Sequence, residues 1–157
     1  MKVACTNGRD KDFVALCGLL DDYLNQAVGG EKQRESYNQY NTLENIHDVF
    51  LMYDEDIPIA CASFKKYDTD VAEVKRVFVR REYRGQGLSK QLMRLLEDKA
   101  REKGYTKLIL ETGAVLMEAT ALYERIGYSR MENYGQYKDM KGSICMEKAL
   151  DRGGAPE

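Results

Sequence analysis

The sequence predicts an α+β fold: a central, mixed but mainly antiparallel sheet flanked by helices. Three observations predict it. Between residues 46 and 80, runs rich in β-branched and aromatic residues alternate with turn clusters at Asp54-Glu55-Asp56 and Tyr67-Asp68-Thr69-Asp70, the pattern of a three-strand meander. Leu88, Leu92, Leu95, Leu96 and Ala100 then recur at three- and four-residue steps, the period of a helix. A further apolar run, Lys107-Leu108-Ile109-Leu110-Glu111, comes next. A helical connection of that length joins parallel strands, so one parallel pair enters an otherwise antiparallel sheet.

Each element has its own justification. Residues 2 to 6 are a short first strand. Asp12 to about Leu24 reads as an amphipathic helix with Phe13, Leu16, Cys17, Leu20 and Leu24 on one face, and Gly29-Gly30 closes the segment after it. Residues 31 to 45 are polar and carry Tyr37 and Tyr40; they read as a loop or a short, weakly apolar helix. The meander strands are Ile46 to Tyr53, Ile57 to Lys66 and Val71 to Arg80. The helix of residues 88 to 103 stops at Gly104, and a shorter one, Leu116 to Ile126, stops at Gly127, each a helix-terminating glycine. Tyr128 to Tyr134 and Ser143 to Leu150 are the last strands, joined by a loop rich in Tyr and Gly. No repeat or linker divides residues 1–150, which read as one domain. Residues 151–157 are a polar tail expected to be disordered.

Composition narrows the function. The 157 residues are enough for one substantial core. At 43% apolar and 32% charged, the chain has the balance of a soluble protein. No apolar run approaches the roughly 20 residues of a membrane span. The N-terminus turns polar too soon for a signal peptide, so Cys5, Cys17, Cys61 and Cys145 are expected to be reduced thiols in the cytoplasm. His47 is the sole histidine, which excludes a histidine-rich metal site; no metal is expected. The net charge of −2 does not call for nucleic acid. From Lys75 to Lys107, however, eleven Lys/Arg stand against four Asp/Glu. That stretch is either a solvated helix face or an electropositive rim for a polyphosphate.

The turn Arg84-Gly85-Gln86-Gly87-Leu88-Ser89 sits between the third meander strand and the long helix. Strand, glycine turn and helix N-terminus together make an anion cradle. No Walker string G-x-x-x-x-G-K-[ST] exists here. The dinucleotide fingerprint fails because Lys90 stands where its third glycine belongs. The spacing that fits is R-x-x-G-x-small, at Arg84, Gly87 and Ser89. With Val77-Phe78-Val79 before it, this resembles the coenzyme A loop of the GNAT family of N-acetyltransferases, whose last position is usually Gly or Ala. The resemblance continues through Ala72 to Arg76, Leu110 to Gly113, Leu122-Tyr123-Glu124-Arg125-Ile126-Gly127-Tyr128 and Ser143 to Lys148, and covers about residues 46 to 150. It implies a GNAT-like fold whose sheet splays at the acetyl-CoA site.

The resemblance also implies a chemistry: direct acetyl transfer from acetyl-CoA to a primary amine, a small molecule rather than a protein. The donor's pyrophosphate would lie on the turn, Arg84, Gly85, Gln86, Gly87, Leu88, Ser89 and Lys90. Its pantetheine arm would lie along Val77, Phe78 and Val79. Tyr123 matches the family's general acid; an ordinary phenol, with a pKa of about 10, holds its proton at neutral pH. By itself the residue is equally an amphipathic Tyr on a helix face. Glu73 is the candidate general base; otherwise it is an exposed strand carboxylate or one paired with Lys75 or Arg76. Glu111 and Thr112, ending the next strand, and Tyr37 are candidate acceptor contacts. Leu116 stands where the family often has an Asn. Acidic residues in the N-terminal half would suit a cationic acceptor. No membrane or nucleic-acid partner is expected, and the resemblance leaves a homodimer open. The alternative is a non-catalytic acyl-CoA-binding module acting as a sensor or docking domain.

Overall fold

A computed structural model of the chain describes residues 1–27, 43 and 45–150. Tyr37, Tyr40 and the tail from 151 lie outside the described residues. The elements are β1 (Lys2–Thr6), α1 (Lys11–Ala27), β2 (Asp48–Asp54), β3 (Ile57–Lys66), β4 (Val71–Val79), α2 (Leu88–Glu102), β5 (Lys107–Gly113), α3 (Met117–Arg125), β6 (Ser129–Met131) and β7 (Ser143–Ala149). Short 3-10 turns lie at Arg81–Tyr83 and Gly135–Tyr137. The seven strands form one mixed sheet in the order β1-β2-β3-β4-β5-β7-β6. As the crossover helix requires, β4 and β5 are parallel, pairing through Val71–Glu73 and Lys107–Ile109. The pairs β1–β2, β2–β3, β5–β7 and β6–β7 are antiparallel.

The described residues divide into two compact units. The first comprises Met1–Lys65 and Lys75–Met93. Its core gathers Phe13, Leu16, Cys17 and Leu20 from α1 with Val49, Leu51, Cys61 and Phe78 from the strands. These are the positions that the helical period of α1 selects, and Leu24 packs against them partly buried. Helix α1 begins where the Asp10 carboxylate accepts hydrogen bonds from the Asp12 and Phe13 amides at 2.9 and 3.3 Å. That satisfies two of the four amides a helix start leaves unpaired. Asp10→Ala is expected to cost about 1 kcal/mol, read as a lower urea midpoint; an unchanged midpoint would contradict the cap. The β2–β3 hairpin turns at Glu55, at φ 55°, with Asp54 opposite Ile57.

The second unit comprises Lys66–Val74 and the chain from Arg94 onward. Both of its helices end on a left-handed glycine. Gly104 (φ 92°) donates to Arg101 O and Tyr105 to Ala100 O. Gly127 (φ 106°) donates to Glu124 O and Tyr128 to Tyr123 O. Both are the paired Schellman bonds that close a helix on its own last carbonyls. The strand expected over Tyr128 to Tyr134 is shorter, Ser129–Met131. The physical reason is Asn133, whose amide nitrogen lies 3.2, 3.1 and 3.1 Å from the carbonyls of Tyr137, Met140 and Ser143 and curls the chain into a loop. In α2, Arg101 meets Asp98 at 2.9 Å and Glu97 at 3.8 Å, and Lys99 meets Glu102 at 3.8 Å. This end of the basic stretch is therefore an interleaved, salt-bridged face.

Candidate active site

The glycine turn belongs to the first unit. Gly85 and Gly87 lie at φ 82° and 77°, in the left-handed region. A Cβ built at either would meet nothing within 4 Å, so the requirement for glycine is one of backbone conformation and not of space. Leu88 opens α2 directly after them and is buried, while Gln86 and Lys90 are exposed and Ser89 is half-buried. Successive left-handed and helical residues turn consecutive N–H groups toward one side, an arrangement suited to an anion. The Arg84 side chain folds back on its own strand: Nε donates to Val79 O at 2.9 Å. Its guanidinium lies 4.8 Å from the ring centroid of Tyr23 and 5.7 Å from that of Phe78. Val77 is half-buried, and Phe78 and Val79 are buried. Arg80 is likewise tied down, with Nε donating to Pro58 O at 2.7 Å.

The titratable residues belong to the second unit. Glu73 is 1% exposed, not the exposed strand carboxylate that the sequence left open. The Tyr134 hydroxyl donates to Glu73 Oε2 at 2.6 Å. Arg76, one of the alternative partners that the sequence offered, makes its ion pair with Asp21. The Tyr134 ring meets those of Tyr67 and Tyr137 edge-on, at 5.2 and 5.6 Å. On β5, the Glu111 carboxylate accepts from Ser143 Oγ at 2.7 Å. Thr112 is buried, and as the next residue along a strand its side chain takes the opposite face from Glu111. Tyr123, on α3, is 8% exposed, and its ring lies edge-on to Tyr128 at 5.8 Å.

This unit therefore assembles Glu73, Glu111 and a group of tyrosines. Burial pushes the Tyr123 phenol well above its ordinary pKa, and the Glu111 charge adds to this. Tyr134 is raised by burial and then by the Glu73 carboxylate. Tyr137 is raised by burial, then by Glu111 and Glu73, and Tyr128 by burial and then Glu97. These phenols make stability depend on pH. Below about pH 10 they are protonated in both folded and unfolded chains, and their contribution is whole. Above it the unfolded chain ionises first, so stability falls as pH rises. Thermal melts at about pH 8 and about pH 11 are expected to show a much lower Tm at the higher pH; equal values would contradict the burial of these phenols.

Sequence reasoning singled out Tyr123, Glu73 and Glu111, which the structure places in one unit, but missed Tyr134, Tyr137 and Ser143. The density of Tyr and Gly between residues 128 and 137 was the available signal. Leu116 is the residue before α3 and offers it no side-chain cap. Among the described residues, no three His, Cys, Asp or Glu side chains gather as a metal site would need, and no helix is long and apolar enough to cross a membrane.

Comparison with known proteins bears on this arrangement. A family model described as Acetyltransferase (GNAT) family matches residues 14–128. Relatives include an IAA acetyltransferase of Azospirillum brasilense, 38% identical over 78 residues, which are 50% of this chain and 51% of that protein. The YsnE protein of Bacillus subtilis, described as an uncharacterized N-acetyltransferase, is 30% identical over 92 residues, 57% of this chain and 61% of its own. The matches thus span only about half of the length of these relatives. Among solved structures, a Klebsiella pneumoniae protein described provisionally as an acyl-CoA N-acyltransferase superposes with a TM-score of 0.78 at 26% identity, covering 96% of this chain and 97% of that one. The PaiA N-acetyltransferase of Thermoplasma acidophilum, in complex with coenzyme A, gives 0.72 at 16% identity, over 96% and 100% of the two chains. A GNAT acetyltransferase of Elizabethkingia anophelis with acetyl-CoA bound gives 0.61 at 23%, over 74% and 83%. At those identities the last two show the fold. With fold, glycine turn and a family match across residues 14–128 in agreement, the chain belongs to the GNAT family of acetyltransferases.

Proposed function

We propose that this chain is an acetyl-CoA-dependent N-acetyltransferase that moves the acetyl group directly onto a primary amine, a small molecule in preference to a protein, in the cytoplasm and without a metal. The observation that carries this reading is the turn: two left-handed glycines running into the first turn of α2, directly after β4. Its amides and the helix dipole suit a pyrophosphate, and the same turn carries the R-x-x-G-x-small spacing. Relatives solved with acetyl-CoA or coenzyme A bound support the same donor.

Acetyl-CoA supplies the activated acyl carbon and a thiol leaving group. The residues Arg84 to Lys90 hold the phosphates, and the backbone of Val77 to Val79 aligns the pantetheine arm. Glu73, kept in place by Tyr134, takes the proton of the acceptor ammonium so that its nitrogen can attack. As the new C–N bond forms and the C–S bond breaks, Tyr123 gives its proton to the departing sulfur; the second proton leaves the nitrogen to solvent, and Tyr123 regains a proton from solvent before the next turnover. Its burial keeps the phenol protonated through the neutral range, so the proton is in place to be offered to the sulfur as the C–S bond breaks.

The test is an acetylation assay on a broad amine panel with mass detection of product. Release of coenzyme A together with an acetylated amine supports transfer. Binding of acetyl-CoA with no product from any amine favours a sensor or docking module instead. For the base, Glu73→Gln is expected to lower kcat/KM at pH 7 by about 100-fold, with the loss shrinking at alkaline pH where the amine is already neutral. Equal activity of the variant at pH 7 would remove Glu73 from the mechanism.

A further inference from the structure

Among the described residues, only two that are not glycine lie at positive φ, and only one of them is within a strand. Glu55 turns a hairpin; Arg76, at φ 58°, sits in the middle of β4. A left-handed residue with a Cβ costs roughly 1–2 kcal/mol, and where conformation alone matters glycine fills such a position. An ion pair with a buried guanidinium is an equally weak device for stability alone, since the pairing must first offset the cost of taking that charge out of water. Arg76 combines both costs, so its side chain must be wanted at this point of the strand.

Its contacts hold it from two sides. The guanidinium is bidentate on Asp21 of α1, Nη1 to Oδ1 at 2.9 Å and Nη2 to Oδ2 at 3.0 Å, and Nη2 reaches Cys17 O at 3.4 Å. The Arg76 side chain is 5% exposed and that of Asp21 41%. From β3, the Cys61 thiol donates to Arg76 O at 3.3 Å. Nε makes no hydrogen bond among the described residues, a further cost the fork must offset. Burial works against the charge, yet the Asp21 carboxylate holds the guanidinium above its ordinary pKa. The residue is pinned at its side chain and at its carbonyl, the two handles that set the direction in which the strand leaves it.

We propose that Arg76 is a positioning residue: clasped by Asp21, it holds β4 in a left-handed kink that orients the backbone of Val77 to Val79 toward the acyl donor. This inference rests on the acetyl-CoA reading given above. In this role Arg76 acts through the three residues after it.

The test needs no acceptor. Acetyl-CoA binding is measured by calorimetry for the wild type, Arg76→Ala, Arg76→Gly and Asp21→Ala, with circular dichroism and Tm recorded for each. Arg76→Ala loses the clasp but keeps a Cβ that disfavours the kink, and is expected to bind about 10-fold more weakly, the equivalent of about 1.4 kcal/mol. Arg76→Gly also loses the clasp but adopts the kink freely, and is expected to stay within about threefold of the wild type, although loss of the clasp lowers its Tm as well. A merely structural role would lower Tm for both and produce no such split in affinity. Equal affinities for the Ala and Gly variants, whether both normal or both lost, overturn the proposal. If Arg76→Ala does not fold, Asp21→Ala decides: alanine is at home in a helix, and an affinity matching the wild type overturns the proposal, whereas a several-fold loss supports it. A wild type that does not bind acetyl-CoA overturns the functional reading, and this inference with it; normal wild-type binding separates the two.

Discussion

Tyr123→Phe is expected to lower kcat by about 100-fold or more, the usual contribution of a general acid, while acetyl-CoA binding and the fold are retained. The residue is buried on α3, and phenylalanine fills the same space without the hydroxyl. What is lost is a proton for the departing sulfur, an interaction made only as the bond breaks, so kcat and kcat/KM should fall together. The raised phenol adds a pH signature. Because burial and Glu111 keep Tyr123 protonated beyond its ordinary range, the wild-type kcat should show no decline from ionisation of this residue below about pH 10. Steady-state kinetics with the best amine from the panel checks both points. An unchanged kcat in the Phe variant with each accepted amine would take Tyr123 out of the reaction.

Gly87→Val is expected to weaken acetyl-CoA binding by about 10- to 30-fold, corresponding to about 1.4–2 kcal/mol. At φ 77° a β-branched side chain is strained, and no neighbour within 4 Å turns this into a packing effect. The valine turn relaxes to a negative φ and takes the amides of the cradle with it. The Gly87 carbonyl also accepts the first bond of α2, from the Gln91 amide at 3.1 Å, so the helix start shifts as well. Gly87→Asn separates the causes, since asparagine tolerates the left-handed region. Its affinity should lie much closer to the wild type. If Val and Asn weaken binding equally, backbone conformation is not the reason for this glycine. Calorimetric titration with acetyl-CoA measures both.

Much of this protein is legible as a string of letters because the relevant physics is local. The apolar steps along α1 name Phe13, Leu16, Cys17 and Leu20, all buried. Gly104 and Gly127 mark where α2 and α3 stop, since a helix can close on its own carbonyls only through a residue that accepts a positive φ. The glycine turn and its place between a strand and a helix can be read for the same reason. Strand β6 was overextended because Asn133, which looks like any polar residue after a strand, spends its amide on three carbonyls up to ten residues away.

The pairing of charges and hydroxyls lies beyond such reading. Lys75 and Arg76 look alike in a strand. Nothing local says that Arg76 lies at φ 58° or that its partner is Asp21, 55 residues earlier. Nor does anything near Glu73 say that it is buried against Tyr134, 61 residues later. The order of the elements, the ends of the later helices and the turn at Arg84 to Ser89 are set by the residues themselves, because propensity, period and left-handed tolerance act within a few positions. Which carboxylates are buried, and which hydroxyls hold them, is decided by the folded chain, because burial and hydrogen-bond distance depend on segments that meet only in three dimensions.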